Sequence, residues 1–132
     1  MIKVKITKKL AGAAILVVNE EGHILLLKRA PESNFAPDQW GYPGGKIEEG
    51  ESSIEAAVRE TQEETELIVQ NPEPLGVFNG AVEAFFVDTF EGKVKIDFEH
   101  TAWEWVPPAD LTAYDLAPSV LAIFEKARAR GH

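Results

Sequence analysis

Glu60, Glu63 and Glu64 follow directly on Arg59, at spacings of three and four, in a stretch that reads as a helix. Ser52-Ser53-Ile54-Glu55 fits a capping box, a hydroxyl at the cap with a carboxylate three residues on, so the helix is expected to start there. Counting 100° per residue from Glu60 puts Glu63 at about 300° and Glu64 at about 40°, so the three carboxylates share an arc of roughly 100°. Ile54, Val58 and Thr61 fall at about 100–160° and are expected to point into a core. Like charges at such spacings destabilise a helix by about 0.2–0.5 kcal/mol per pair. A solvated acidic face is the plain alternative. A functional reading requires a compensating cation.

Oxygen ligands gathered without histidine or cysteine suit Mg²⁺, with Mn²⁺ able to substitute, far better than zinc. Such an ion keeps most of its waters and is shared between a few carboxylates and substrate phosphate. The cluster therefore reads as a dock for a metal–diphosphate complex, and phosphoryl transfer needs mainly positioning and charge neutralisation. Upstream, Trp40-Gly41-Tyr42-Pro43-Gly44-Gly45 carries glycines that let backbone approach backbone or phosphate, and Lys46 could aim an ammonium at a phosphate. Trp40 could stack a base, although a large aromatic bordering a motif more often packs.

Gly45 is followed after five residues by Glu51, after seven more by Arg59-Glu60, then by Glu63-Glu64 and Leu67. This spacing resembles the Nudix box of the Nudix hydrolases, and Trp40 onward is similar to the family's approach to it. Two positions depart. Glu66 stands where the family has glycine and Thr61 where it usually has an aliphatic residue. Glycine just past a helix is a left-handed cap; either Glu66 adopts that conformation at a cost of roughly 1–2 kcal/mol, or the helix ends differently. Neither departure removes a carboxylate.

The resemblance implies an α+β Nudix fold, an α/β/α sandwich with a mixed central sheet. It also implies hydrolysis of a nucleoside diphosphate linked to another moiety, by water attack at phosphorus. Carried onto this chain, Glu60, Glu63 and Glu64 hold metal, with the Gly45 carbonyl as a further ligand. Arg59 pairs with a box glutamate, and Glu51 supports the loop–helix junction. The family also implies a late carboxylate before the tryptophan strand, for which Glu99 is preferred to Glu104. An arginine or lysine at a strand end often contacts substrate phosphate there, making Lys28 and Arg29 candidates. The general base is a box glutamate or a later-loop carboxylate. The first reading of function is a pyrophosphohydrolase of a nucleoside or deoxynucleoside triphosphate. The alternatives are a dinucleoside polyphosphate hydrolase, an RNA 5′-end pyrophosphohydrolase and a non-catalytic nucleotide-sensing module. Sensors usually lose box carboxylates, and this chain keeps them.

Composition narrows the class. At 132 residues, 45% hydrophobic, the chain is expected to form one globular domain with its own core. No run is long enough for a membrane span, and Met1–Ile6 lacks the apolar centre of a secretion signal. Absence of cysteine excludes disulfides, thiolate sites and a cysteine nucleophile, and fits a cytoplasmic location. A net charge of −9 with scattered basic residues argues against long nucleic acid, which needs a basic track. A small nucleotide escorted by metal fits better, on a monomer or homodimer.

These residues need elements to hold them. Lys3–Ile6 alternates like an edge strand. Ala11–Val18 reads as a central strand, and His23–Lys28 as its return in a hairpin about the Asn19–Gly22 turn. Ala30–Gln39 is a polar loop, placed as a substrate-facing lid would be. After the helix come a short strand at Leu67–Val69, strands at Leu75–Phe78 and Ala81–Phe90 about an Asn79-Gly80 turn, and Val94–Ile96. His100–Val106 is then stopped by Pro107-Pro108. A last helix is expected with Pro118 in its first turn and Val120, Leu121, Phe124 and Ala127 on its apolar face.

Overall fold

A computed structural model of the chain describes residues 10–132, so the expected Lys3–Ile6 strand lies outside the described residues. Nine strands and two α-helices are formed among the described residues: β1 (Gly12–Val17), β2 (Ile24–Arg29), β3 (Trp40–Gly41), β4 (Gly44–Lys46), α1 (Ser53–Thr65), β5 (Ile68–Val69), β6 (Glu73–Phe78), β7 (Val82–Val87), β8 (Phe90–Glu91), β9 (His100–Val106) and α2 (Val120–Ala129). A 3₁₀ turn at Pro108–Ala113 precedes α2. The main sheet has the order β4-β1-β7-β6 and is mixed, because β1 runs parallel to β7 and antiparallel to β4. A second sheet, β3-β2-β9, is antiparallel, and β5 pairs only with β8.

Period-2 alternation sends side chains of one strand to opposite faces, and that divides the interior into two cores. Leu16, Ile24, Leu26, Ala84, Phe86 and Val106 pack with Val120, Ile123 and Ala127 of α2. Ile15, Val17, Leu25, Leu27, Phe85 and Val87 pack with Ala56 and Ala57 of α1. The strands read as near-continuous apolar runs because both faces are covered. This is the α+β sandwich expected. No helix among the described residues is long and apolar enough to cross a membrane.

Several expectations are corrected. β1 and β2 do not form a hairpin ladder. A single bridge, Val18–Ile24, joins them beside the turn, and the strands then part into different sheets. Each finds longer partners elsewhere, β1 along β7 and β2 along β9. The expected Ala81–Phe90 strand breaks after Val87, and Val94–Ile96 forms no strand, although Val94 and Ile96 pack on the α1-side core. Pro118 precedes α2 instead of occupying its first turn, since Ser119 is the cap in a left-handed conformation. Ile123, not Leu121, completes the buried face of α2. The Asn79-Gly80 turn has φ of 52° and 70°, both positive as a type I′ turn requires.

The capping box at Ser52 is present in both directions. At the other end of α1, Glu66 takes the left-handed cap itself, with φ 62° and ψ 9°. Glu66→Gly removes the Cβ cost but returns part of it as unfolded-chain entropy. Thermal or urea unfolding should show a net gain of about 0.5–1 kcal/mol. A lower midpoint would mean that the Glu66 side chain stabilises the fold by some other route.

Candidate active site

The carboxylates are placed by the packing of α1 on β4 and β1. The buried residues of α1 are Ala56, Ala57, Thr61, Glu64 and Thr65, so Glu64 lies within the buried face. Ile54, expected inside, is 38% exposed. Two alanines and two threonines allow close approach where larger apolar side chains would hold the helix off. The threonine hydroxyls are satisfied locally, Thr61 Oγ1 donating to Ala57 O and Thr65 Oγ1 to Thr61 O.

The glycine pair lies against this face. The Gly44 backbone N–H donates to Glu64 Oε1 at 2.8 Å. A Cβ on Gly45 would fall 2.5 Å from Glu60 Cδ, so the Glu60 carboxylate occupies the space that a side chain at 45 would need. Arg59 gathers the rest. Its Nε and Nη2 donate to the two oxygens of Glu51 at 2.7 and 3.0 Å, a bidentate pair. Its Nη1 donates to Glu60 at 2.9 Å and reaches Glu63 at 3.2 Å, while Nη2 also donates to Lys46 O. Glu51 Oε1 additionally accepts from the Glu48 N–H, which ties the acidic loop to the start of the helix.

Charge and burial are in tension here. Glu64 is 3% exposed, and burial pushes its carboxyl up to about 9. The Gly44 N–H opposes that shift, while the charges of Glu60, Asp97 and Glu99 add to it. Burial also raises Glu60, with Arg59 opposing and Glu63 and Glu99 adding. The Arg59 hydrogen bonds, by contrast, hold Glu51 below the usual carboxylate range. One guanidinium is shared among Glu51, Glu60 and Glu63 and does not reach Glu64 by any hydrogen bond found here. A buried carboxylate such as Glu64, beside other carboxylates and without a cationic partner of its own, suits a cation site. The residues present fit a divalent ion.

The turn Asp97–His100 closes over the cluster. Asp97 N donates to Glu64 O at 3.2 Å, and His100 Nδ1 lies 2.8 Å from Asp97 Oδ1. Ligand atoms of Glu64, Asp97 and His100 all lie within 4.8 Å of one another. Asp97 and His100 were missed in the sequence. Their i, i+3 spacing was visible, but nothing in it shows that the turn returns to α1. Glu99 sits in this turn and its charge acts on Glu60 and Glu64, whereas the Glu104 charge acts on Tyr114.

Three other candidates lie apart from the carboxylates or are otherwise engaged. The Arg29 guanidinium donates to Phe35 O and Ser33 Oγ and so ties down the 30–39 loop. Trp40 packs in the α2-side core, edge-on to Tyr114 at 5.1 Å, and its backbone bonds to Asp115 and Ala117. Lys46 is exposed beside the glycines.

The NUDIX domain family model matches residues 8–126, which spans the glycine pair, α1 and the 97–100 turn. The chain belongs to the Nudix family. Among Nudix relatives, the CTP pyrophosphohydrolase of Escherichia coli (strain K12) is 29% identical over 124 residues, 89% of this chain and 90% of its own. An RNA pyrophosphohydrolase of Agrobacterium fabrum is also 29% identical, covering 86% of each chain. The solved MutT protein of Methanosarcina mazei Go1 superposes with a TM-score of 0.73 at 26% identity, over 97% of this chain and 100% of its own. This Nudix chain is thus a hydrolase by family, with relatives whose substrates differ in size.

Proposed function

We propose that the chain is a divalent-metal-dependent pyrophosphohydrolase that cleaves the diphosphate linkage of a nucleoside or deoxynucleoside triphosphate. The observation that carries this reading is the pair Glu60, partly buried against Gly45, and Glu64, buried against Gly44, with both carboxyls raised chiefly by burial. Glu60, Glu63 and Glu64 would hold Mg²⁺, with the Gly45 carbonyl and Glu99 as further ligands. The chemistry supplied at those residues would be neutralisation of phosphate charge, polarisation of a phosphoryl oxygen and acidification of a water. Arg59 is a positioning residue that sets Glu60 and Glu63 relative to Glu51 through one rigid fork. Glu60 or Glu63, both bonded to Arg59, would accept the proton of an attacking water. Lys46 is placed to meet phosphate from the exposed side.

A nucleotide panel incubated with Mg²⁺ or with EDTA, products read by mass spectrometry, tests this. Release of pyrophosphate or phosphate from a triphosphate, lost in EDTA, is expected. Turnover confined to 5′-triphosphorylated RNA would replace the substrate with the RNA alternative, against which the net charge of −9 weighs.

Arg59→Lys keeps a cation but loses the fork. By analogy with residues that orient metal ligands, kcat/KM should fall roughly 10- to 100-fold. Unchanged kcat/KM would show that the clasp is structural only.

A further inference from the structure

Phe98 is 90% exposed, the most exposed of the large hydrophobic residues found on the described surface. It packs on neither core among the described residues. An apolar ring held in water on a loose tip would be unremarkable, but this tip is tied down. Phe98 and Glu99 are the corner residues of the Asp97–His100 turn, closed by His100 N donating to Asp97 O. Asp97 N fastens the turn to Glu64 O, the Asp97–His100 side-chain contact braces it, and Glu99 O accepts from Ala30 N. His100 is also paired in register with Arg29, so the turn and the 30–39 loop leave neighbouring strand ends. The second exposed aromatic at this end, Phe35, has the Arg29 guanidinium 5.5 Å from its ring centre.

We infer that Phe98 is a substrate-contacting residue, a stacking platform for the nucleobase of a nucleotide whose phosphates lie at the α1 carboxylates. The inference rests on the proposed nucleotide pyrophosphohydrolase activity and deepens it. A turn pinned by its backbone to Glu64 O, at the helix that carries the carboxylates, leaves the π face of Phe98 open to solvent. Every base has a π face, so stacking is tolerant of base identity. Phe98 would therefore separate nucleotides from base-free pyrophosphates, with little discrimination among bases.

Phe98→Ala should raise KM for the best nucleotide of the panel roughly tenfold, within the range that base–aromatic stacking supplies, with kcat within about twofold. Phe98→Trp should restore KM. It should also add a fluorescence signal, quenched by Mg²⁺ with α,β-methylene analogues of ATP, GTP, CTP and UTP but not by Mg²⁺ with inorganic pyrophosphate, after subtraction of the wild-type signal. Nucleotide turnover by wild type with an unchanged KM in Phe98→Ala would overturn the stacking role alone. So would an unchanged KM accompanied by loss of a dimer in sedimentation, which would assign the ring to a second copy of the chain. Quenching without turnover would support stacking and remove the hydrolytic reading. Absence of both would remove both.

Discussion

Glu64→Gln is expected to give a folded protein whose turnover is lower by about 10³-fold or more, at least about 4 kcal/mol of transition-state stabilisation. Glutamine preserves the shape and leaves an oxygen to accept from the Gly44 N–H, so the local hydrogen bond survives. What disappears is the capacity to ionise and hold a cation at the centre of the α1–β4 contact. The same substitution should not weaken the metal-free fold, because burial pushes the Glu64 carboxyl up to about 9 and the group is protonated there at neutral pH. An acid with a raised folded-state pKa stabilises the fold fully below its unfolded value, about 4.3. Above that value the unfolded chain releases the proton while the folded chain keeps it. Stability is therefore lost as pH rises towards about 9. Metal-free wild type should thus unfold at progressively lower temperature from pH 5 to pH 9, and Glu64→Gln should show a shallower slope. Added Mg²⁺ should raise the wild-type Tm more at high pH than at low, since it binds the ionised form. Full activity in Glu64→Gln would end the assignment of this carboxylate to the metal. A slope identical to wild type would show that Glu64 is already ionised without it.

Substituting alanine at two adjacent glycines is expected to give two different failures. At Gly44 a Cβ would lie 2.3 Å from Ala13 O and 2.8 Å from Ala14 Cα, both backbone atoms of β1. Neither can move without opening the β1–β4 ladder, so Gly44→Ala should cost about 3 kcal/mol or more of stability, at or beyond the upper end of ordinary overpacking. At Gly45 the obstacle is the Glu60 carboxylate, the far end of a side chain that can swing aside. Gly45→Ala should therefore change stability by about 1 kcal/mol or less while turnover falls roughly 10²-fold, because Glu60 is forced off the Arg59 fork. Urea midpoints and kcat measured on both variants decide this. Equal destabilisation by the two, or an active Gly45→Ala, would mean that Glu60 is not held where its oxygens now lie.

The difference between these neighbours is not written in their order along the chain. Gly44 and Gly45 look alike in sequence, and only the register Ala14–Gly44 and the seating of α1 make one a backbone contact and the other a carboxylate contact. Helical geometry correctly brought Glu60, Glu63 and Glu64 onto one arc and Thr61 into the core, with Val58 packed against it, but failed at Ile54, which is exposed. The expected core did not extend far enough round the helix towards Glu64. The structure also buries the small residues Ala56 and Ala57, which flank Glu64. Hydrophobicity alone marks only part of a helix's buried face when close approach to a sheet favours small side chains over large ones.

Local signals were legible wherever their cause is local. The capping box at Ser52, the type I′ turn at Asn79-Gly80 and the strained cap at Glu66 each depend on a few consecutive residues. The spacing from Gly45 to Leu67 was enough for the family, and the order strands, helix, strands, helix for an α+β sandwich. Long-range choices were not legible. Whether β1 pairs with β2 or with β7 turns on which ladder buries more apolar surface, and Asp97 and His100 reach Glu64 only through one backbone bond across 33 positions of chain. Residue types and short spacings thus determined which chemistry the chain carries. Tertiary packing decided how deeply each carboxylate is buried and which later residues join it, because those depend on contacts between segments that sequence proximity does not couple.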